Sequence, residues 1–223
     1  MKTYKTHHYD ELGSTNSFVK SELQNMADHT LIITDYQTKG RGRRNNRWVS
    51  DRNTSFLGTF YKNSEEKNAF RFLLEASVAL IDTLKAYDIK PFVKPPNDIY
   101  VRNDKIAGVL IEIIRESKLH IICGIGLNIN ESKSDLGISM EAIKGHPLPL
   151  REVRHVLKNA FENAETLSQK ALFETYKSHI DFKRIQVEKN SNIMTLTDIN
   201  EDFECQVGNT LEACESLKFT YKL

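Results

Sequence analysis

Between two strand-like runs, Leu31-Ile-Ile-Thr-Asp-Tyr36 and Ser55-Phe-Leu-Gly-Thr-Phe-Tyr61, the chain reads Gln37-Thr-Lys-Gly-Arg-Gly-Arg-Arg-Asn-Asn-Arg-Trp48. Four arginines and a lysine crowd around two glycines, and the chain's single tryptophan closes the stretch. Unpaired guanidinium groups cost too much to bury, so no fold can use this stretch as core. It must lie at a surface or over a cleft. Glycine lets backbone N–H groups approach an anion, and arginine offers forked donors that match phosphate or carboxylate oxygens. Such a loop is expected to stay mobile until something negative fills it. Two plainer uses compete: a solvated basic loop, or a nucleic-acid contact made through charge and stacking on Trp48. Taken alone, the loop favours those plainer uses.

Composition weighs against a general nucleic-acid binder. Lysine and arginine number 31 against 30 aspartates and glutamates, a net charge of +1, which leaves room only for a local basic patch. With 223 residues, 39% hydrophobic and 27% charged, the chain suits one large domain, or one domain with a small appendage. No apolar run is long enough to span a bilayer, and the start, Met1-Lys-Thr-Tyr-Lys-Thr-His-His8, lacks the apolar centre of a secretory signal. The three cysteines fit no metal-ligand spacing and leave an odd thiol. Cys123, inside an apolar run, is expected as core rather than in a disulfide. A cytoplasmic protein with no membrane contact is the expectation.

Strands and helices alternate along the chain. Leu12-Gly-Ser-Thr-Asn16 precedes a helical stretch from Ser17 to about Met26. Ser14 or Thr15 can cap that helix, and the same hydroxyls can hold a polar ligand head at the helix start. Ser64-Glu-Glu-Lys67 opens a second helix, with early acids favoured by its dipole. Phe70, Leu73, Leu74, Ser77, Leu80, Ile81 and Leu84 fall on one face of it. Val93-Lys-Pro-Pro-Asn-Asp98 then leads into a hairpin: Ile99–Val101, a turn through Arg102–Asp104, and a nearly continuous apolar strand from Lys105 to Ile114. A further strand, His120 to Asn128, carries Gly124 and Gly126, and glycines inside a strand mark a bulge or a close approach. Lys94 and Lys105 can be plain surface lysines, and Asn97-Asp98 a plain turn. Yet three separate strand ends combine glycine with Asn, Asp or Lys, and that repetition points to function. Later, Leu150 to about Ser168 forms an amphipathic helix (Val153, Val156, Leu157, Ala160, Phe161, Ala164, Leu167), followed by a shorter one from Ala171 to Ile180. From Asp181 to Leu223 only short β-like pieces appear, Ile193–Leu196, Phe203–Val207 and Leu217–Tyr221, too small for much core of their own.

Taken together, Ser14-Thr-Asn16, Gln37, Gly40-Arg-Gly-Arg-Arg44 with Trp48, Lys94-Pro-Pro-Asn-Asp98, Lys105-Ile-Ala-Gly108 and Gly124-Ile-Gly-Leu-Asn128 resemble the motif series of the biotin protein ligases. They occur in that family's order and at compatible spacing. A single such motif would be weak; the ordered set is specific. No segment before Ser14 could hold a DNA-binding helix-turn-helix, so the chain resembles the short, non-repressor form and DNA is not expected as a partner. The resemblance implies an α/β (α+β) fold with a mixed central β-sheet flanked by helices. Residues 1–180 would form the catalytic domain and 181–223 a small C-terminal β-like appendage.

It also implies a two-step reaction. The biotin carboxylate attacks the α-phosphate of ATP to give biotinyl-5′-AMP and pyrophosphate. A lysine of a biotin carboxyl carrier domain then takes the biotinyl group. By the resemblance, Ser14, Thr15, Asn16, Gln37, Gly40, Arg41, Gly108 and Gly124 would bind biotin. Arg43 and Lys105 would face its carboxylate and the α-phosphate. Arg41, Trp48, Lys94, Asn97, Gly126 and Asn128 would address the nucleotide, and Asp98 would sit close to the incoming amine. Arg43, Lys105 and Asp98 are thus the expected catalytic groups, with Mg²⁺ held mainly on the ATP phosphates. The chemistry agrees, because a carboxylate meeting a polyphosphate needs cations to neutralise charge in the transition state. An ordered loop would shield the anhydride from water.

The chain departs from the family pattern in places. Asn45-Asn46 follow Arg44 where a glycine is usual, and an asparagine is expected to supply the left-handed turn. Pro95 replaces the usual tryptophan, Ser55-Phe56 an Asn-Leu pair, and the family's C-terminal SH3-like barrel is not evident. None of these removes a charged catalytic group, so activity is expected. Lipoate or octanoate ligases share the architecture, but their Arg-Arg-x-Ser-Gly-Gly-Gly stretch is absent. A non-catalytic module that holds biotin or nucleic acid is the other alternative.

Overall fold

Residues 106–114 form the strand their apolar run predicts, and the molecule is built around it and its neighbour. The computed structural model describes residues 3–65, 69–130, 137–189 and 192–221. In chain order the elements are β1 (Lys5–Tyr9), α1 (Thr15–Ser21), β2 (Thr30–Thr34), β3 (Ser55–Ser64), α2 (Ala69–Ala86), β4 (Phe92–Lys94), β5 (Asp98–Val101), β6 (Asp104–Arg115) and β7 (Leu119–Asn128). Then follow α3 (Met140–Lys144), α4 (Leu150–Ala164), α5 (Gln169–Ser178), β8 (Ile185–Lys189), β9 (Asn192–Ile199), β10 (Glu204–Val207), β11 (Thr210–Ala213) and β12 (Lys218–Tyr221).

The first seven strands make one mixed sheet in the order β1-β2-β3-β7-β6-β5-β4, in which only β1 and β2 run parallel. β7 is paired along its whole length with β3, from Ser55↔Asn128 to Ser64↔Leu119, and with β6 from Ala107↔Leu127 to Arg115↔Leu119. Alternate residues of a strand face opposite ways. One face carries Phe56, Phe60, Val109, Cys123 and Ile125 into the main core, where α2, α4 and α5 cover it. The predicted stripe of α2 is buried there from Leu73 to Leu84, each large apolar side chain contributing roughly 1.5–3 kcal/mol. Phe161 of α4 stacks on Phe60 at 3.9 Å. The opposite face is covered by α1 over a smaller cluster of Val19, Leu23, Ile32, Tyr61 and Ile122. No helix among the described residues is long and apolar enough to cross a membrane.

Several boundaries differ from expectation. α1 ends at Ser21, and a 3-10 turn over Leu23–Asn25 takes the place of its last turn. Ser64 belongs to β3 rather than to the next helix, and residues 66–68 lie outside the described residues. α4 ends at Ala164, leaving Leu167 exposed.

The C-terminal region is β-structured, as expected, and its pieces assemble into a five-stranded antiparallel sheet, β11-β10-β9-β8-β12. Its core is not separate: Ile185, Val187, Leu196 and Phe203 join the main cluster, and Phe203 stacks on Phe70 of α2 at 4.5 Å. A short sheet can thus be stable by borrowing apolar surface from the larger body. Cys123 is buried and free, as expected, but Cys205 and Cys214 are joined by a disulfide that the sequence reading did not foresee.

Candidate functional site

The site begins where α1 begins. Ser14, in extended backbone, caps the helix by accepting from the Ser17 N–H. Thr15 donates its N–H to Gln37 Oε1 at 2.8 Å and its hydroxyl to the same oxygen at 3.2 Å. The N–H groups of Thr38 and Lys39 bond to the carbonyls of Leu12 and Gly13. The root of the basic loop is therefore tied to the start of α1.

The loop then folds back across the sheet. Arg41 and Arg47 form an antiparallel bridge, Gly42 N–H donates to Asn46 O at 2.7 Å, and Trp48 N–H to Gly40 O at 3.1 Å. Arg43–Asn45 make a 3-10 turn whose left-handed residue is Arg44, at φ 52°. Neither asparagine supplies that conformation; Asn46 has φ −65°. Carbonyl oxygens and carboxylates take up the charges of the loop. Arg41 bonds to Glu112, Arg43 Nη1 to Asn97 Oδ1 at 2.9 Å, and Arg44 Nη2 to Leu217 O at 3.2 Å.

Trp48 lies over β7 because Gly126 leaves space for it: a Cβ there would come within 2.5 Å of the indole. Lys105 Nζ sits 5.5 Å over the same ring and 2.7 Å from Asp98 Oδ1. Asn97 donates to Asp98 Oδ1 at 3.1 Å and to Val109 O at 3.0 Å. Lys94, partly buried near Lys105, has its ammonium held below the ordinary lysine range, with Asp98 opposing the shift. Burial, with Asp98 and Asp104 nearby, pushes the Tyr100 hydroxyl up to about 12.

Two hollows meet here. A polar cleft of about 50 Å³ is lined by Ser14, Thr15, Asn16, Gln37 and Arg41 on the side of α1, by Gly108, Gly124 and Gly126 of the sheet, and by Arg43, Trp48, Asn97 and Lys105. A basic groove of about 240 Å³ runs beyond it towards β12, and shares Arg43, Trp48, Asn97 and Lys105 with the cleft. The groove adds Arg44, Arg47, Lys94 and Lys218, with Asp98 its one carboxylate among the described residues. Most of the expected site residues are thus brought together. Gly40 faces a separate hollow on the outer side of the loop, where a Cβ would meet Trp48 O at 2.3 Å. Asn128 is buried at the end of β7, donates to Ile138 O at 3.3 Å and lines neither hollow.

Sequence reasoning missed Thr59, Leu110 and Glu112. Glu112 had left a signal: it is the one charge inside the apolar run from Ile106 to Ile114. It accepts from Asn16, Lys20 and Arg41. Lys218 and Phe219 also reach the groove, from a segment that carries no recognisable motif. Among the described residues no group of three or more His, Cys, Asp or Glu could hold a metal ion.

Known proteins share this fold. A family model described as the biotin/lipoate A/B protein ligase family matches residues 10–130. The bifunctional ligase/repressor BirA of Bacillus subtilis is 30% identical over 134 residues, covering 57% of this chain and 41% of that protein. BirA of Escherichia coli is 28% identical over 123 residues, covering 53% and 38%. The chain thus aligns with about two fifths of the length of these relatives. A structure of Aquifex aeolicus biotin protein ligase in complex with biotin and ATP has the same fold, with a TM-score of 0.84 at 22% identity over 98% of this chain and 99% of that one. This chain belongs to the biotin/lipoate A/B protein ligase family.

Proposed function

We infer that this chain is an ATP-dependent biotin protein ligase: it joins biotin to AMP, then passes the biotinyl group to a lysine of a biotin carboxyl carrier domain. One observation carries the reading. A polar cleft adjoins a strongly basic groove, and Arg43 and Lys105 line both. A carboxylate lying in the cleft and a polyphosphate lying in the groove would meet between these two cations. Their mutual repulsion is the obstacle to the first step, and fixed positive charge lowers it most where negative charge is greatest, in the transition state.

In this reading Ser14, Thr15 and Gln37 hold the ureido end of biotin, and Gly108 and Gly124 let it lie on the sheet. Arg43 and Lys105 neutralise the carboxylate and α-phosphate, while Lys94 and the groove arginines receive the leaving pyrophosphate. Asn97 and Trp48 bound the nucleotide. Lys105 pairs with Asp98 in the structure, so its turn towards phosphate would free the carboxylate. Asp98 could then accept the proton that the acceptor amine loses. Mg²⁺ would travel with the phosphates and add charge neutralisation. Residues 1–180 do this work, and 181–223 contribute one wall of the groove. The test is mass spectrometry of a carrier domain incubated with the protein, biotin and MgATP. Modification of one lysine, absent without ATP, is expected; an unmodified carrier would overturn the transfer step.

A further inference from the structure

The carboxylate of Glu112 gathers donors from two elements that are distant in sequence. Its Oε2 accepts from Asn16 Nδ2 at 2.9 Å and from Arg41 Nη2 at 2.6 Å, and its Oε1 from Lys20 Nζ at 2.9 Å. Burial alone would raise its pKa, but the hydrogen bonds from Lys20, Asn16 and Arg41 hold it below the usual carboxylate range. Asn16 is only 2% exposed, and its amide is engaged throughout. Its Oδ1 accepts from Thr59 Oγ1 at 2.7 Å, and its Nδ2 also reaches Leu110 O at 3.3 Å. Asn16 therefore works as a wall of the cleft, with its amide set by Thr59 on one side and Glu112 on the other. Arg41 differs: its side chain is 39% exposed, and Glu112 ties it down across the cleft. One carboxylate thus joins the wall to the loop that covers it.

We propose that Glu112 is a positioning residue for the biotin end of the cleft: by holding Arg41 and Asn16 together, it keeps the basic loop in place before ligand arrives. The proposal rests on the ligase reading. A loop already in place does not have to be ordered on binding, so the benefit falls on affinity for the ligand beneath it. The nucleotide, held largely by the groove, depends on Glu112 far less.

The test compares wild type with Glu112→Gln and with Glu112→Gln/Lys20→Met. Glutamine keeps the volume but has a single acceptor, and it turns an N–H donor towards side chains that are themselves donors. Biotin affinity by calorimetry should fall up to about fivefold, as expected for losing a partly exposed ion pair. The KM for ATP and kcat should stay within about 1.5-fold of wild type. Trypsin should cut the ligand-free loop between Arg41 and Arg47 faster than in wild type. Lys20→Met removes the donor facing the new amide, so the double variant should recover part of the affinity. The proposal is overturned by wild-type biotin affinity in Glu112→Gln, by an unchanged rate of loop cleavage, or by no recovery in the double variant. Equal losses for biotin and ATP with a lowered Tm would also overturn it, making Glu112 a support of the fold. Wild type that binds no biotin would sink the ligase reading instead, and the trypsin arm would still decide whether the clamp exists.

Discussion

Gly126→Ala sets a central strand against the loop that lies on it. The new Cβ would come 2.5, 2.6 and 2.9 Å from Cε2, Cζ2 and Cδ2 of Trp48, so one partner must move. Gly126 pairs with Leu57 on one side and Gly108 on the other, and shifting β7 would disturb both ladders. Keeping both partners in place would be overpacking, at a cost of about 1–3 kcal/mol. The anchors of the loop are weaker. Arg41 and Glu112 have side chains 39% and 24% exposed, and pairs so open to water contribute about 0.2–1 kcal/mol. The loop should therefore yield, and Trp48 should leave the cleft. Since Trp48 is the chain's one tryptophan, its fluorescence reports the event directly. The variant should show red-shifted emission and readier quenching by acrylamide. Its Tm should move by no more than about 2–4 °C, the equivalent of about 1 kcal/mol at this size. Wild-type emission and quenching together with a larger drop in Tm would refute the reasoning, since the strand would then have given way.

Lys105→Ala should lower the rate of adenylate formation by about a hundredfold or more, since it removes a charge needed mainly in the transition state. Single-turnover kinetics at saturating biotin and ATP would detect this, and circular dichroism should show an unchanged fold. Lys62→Met should destabilise the protein, because Lys62 Nζ lies 2.8 Å from Glu75 Oε2 and the Glu75 side chain is 1% exposed. Arg71 Nε, 3.0 Å from Glu75 Oε1, still pairs with that carboxylate, so the loss should stay below the about 3 kcal/mol at which a wholly uncompensated buried charge begins, a fall in Tm of less than roughly 6–12 °C by thermal denaturation, and Lys62→Met/Glu75→Leu should recover part of it. Asp35 is held below its ordinary pKa: burial would raise it, but hydrogen bonds from His8 and Arg154 prevail. A depressed carboxylate stabilises above its unfolded pKa of about 3.9 and loses that stabilisation as pH falls through the folded value. The Tm gap between wild type and Asp35→Asn should therefore be full at neutral pH and close below about pH 4.

The parts of the fold that were legible in the sequence are those where one segment decides its own burial. The stripe of α2, the stripe of α4 up to Ala164 and the β5–β6 hairpin all read correctly, because period and turn chemistry are local. The site was legible for a different reason. Glycines at Gly108, Gly124 and Gly126, and charges at Arg43 and Lys105, stand in motifs short enough to recognise in order. What escaped depends on partners far along the chain. Phe203 makes sense only against Phe70 and Tyr176, so the C-terminal sheet looked too small to stand. The pairing of Cys205 with Cys214 needs β10 and β11 to be side by side. Glu112 broke an apolar pattern visibly, but its meaning lay in Asn16 and Arg41, 96 and 71 residues away along the chain.

Pyrophosphate exchange tests most directly whether the cleft activates biotin through ATP. Labelled pyrophosphate is incubated with the protein, MgATP and one of three acids: biotin, lipoate or octanoate. Label should appear in ATP with biotin, with none above background for the other two, and the signal should be lost in Lys105→Ala. Exchange with lipoate or octanoate in preference to biotin, or none with any acid, would contradict such activation.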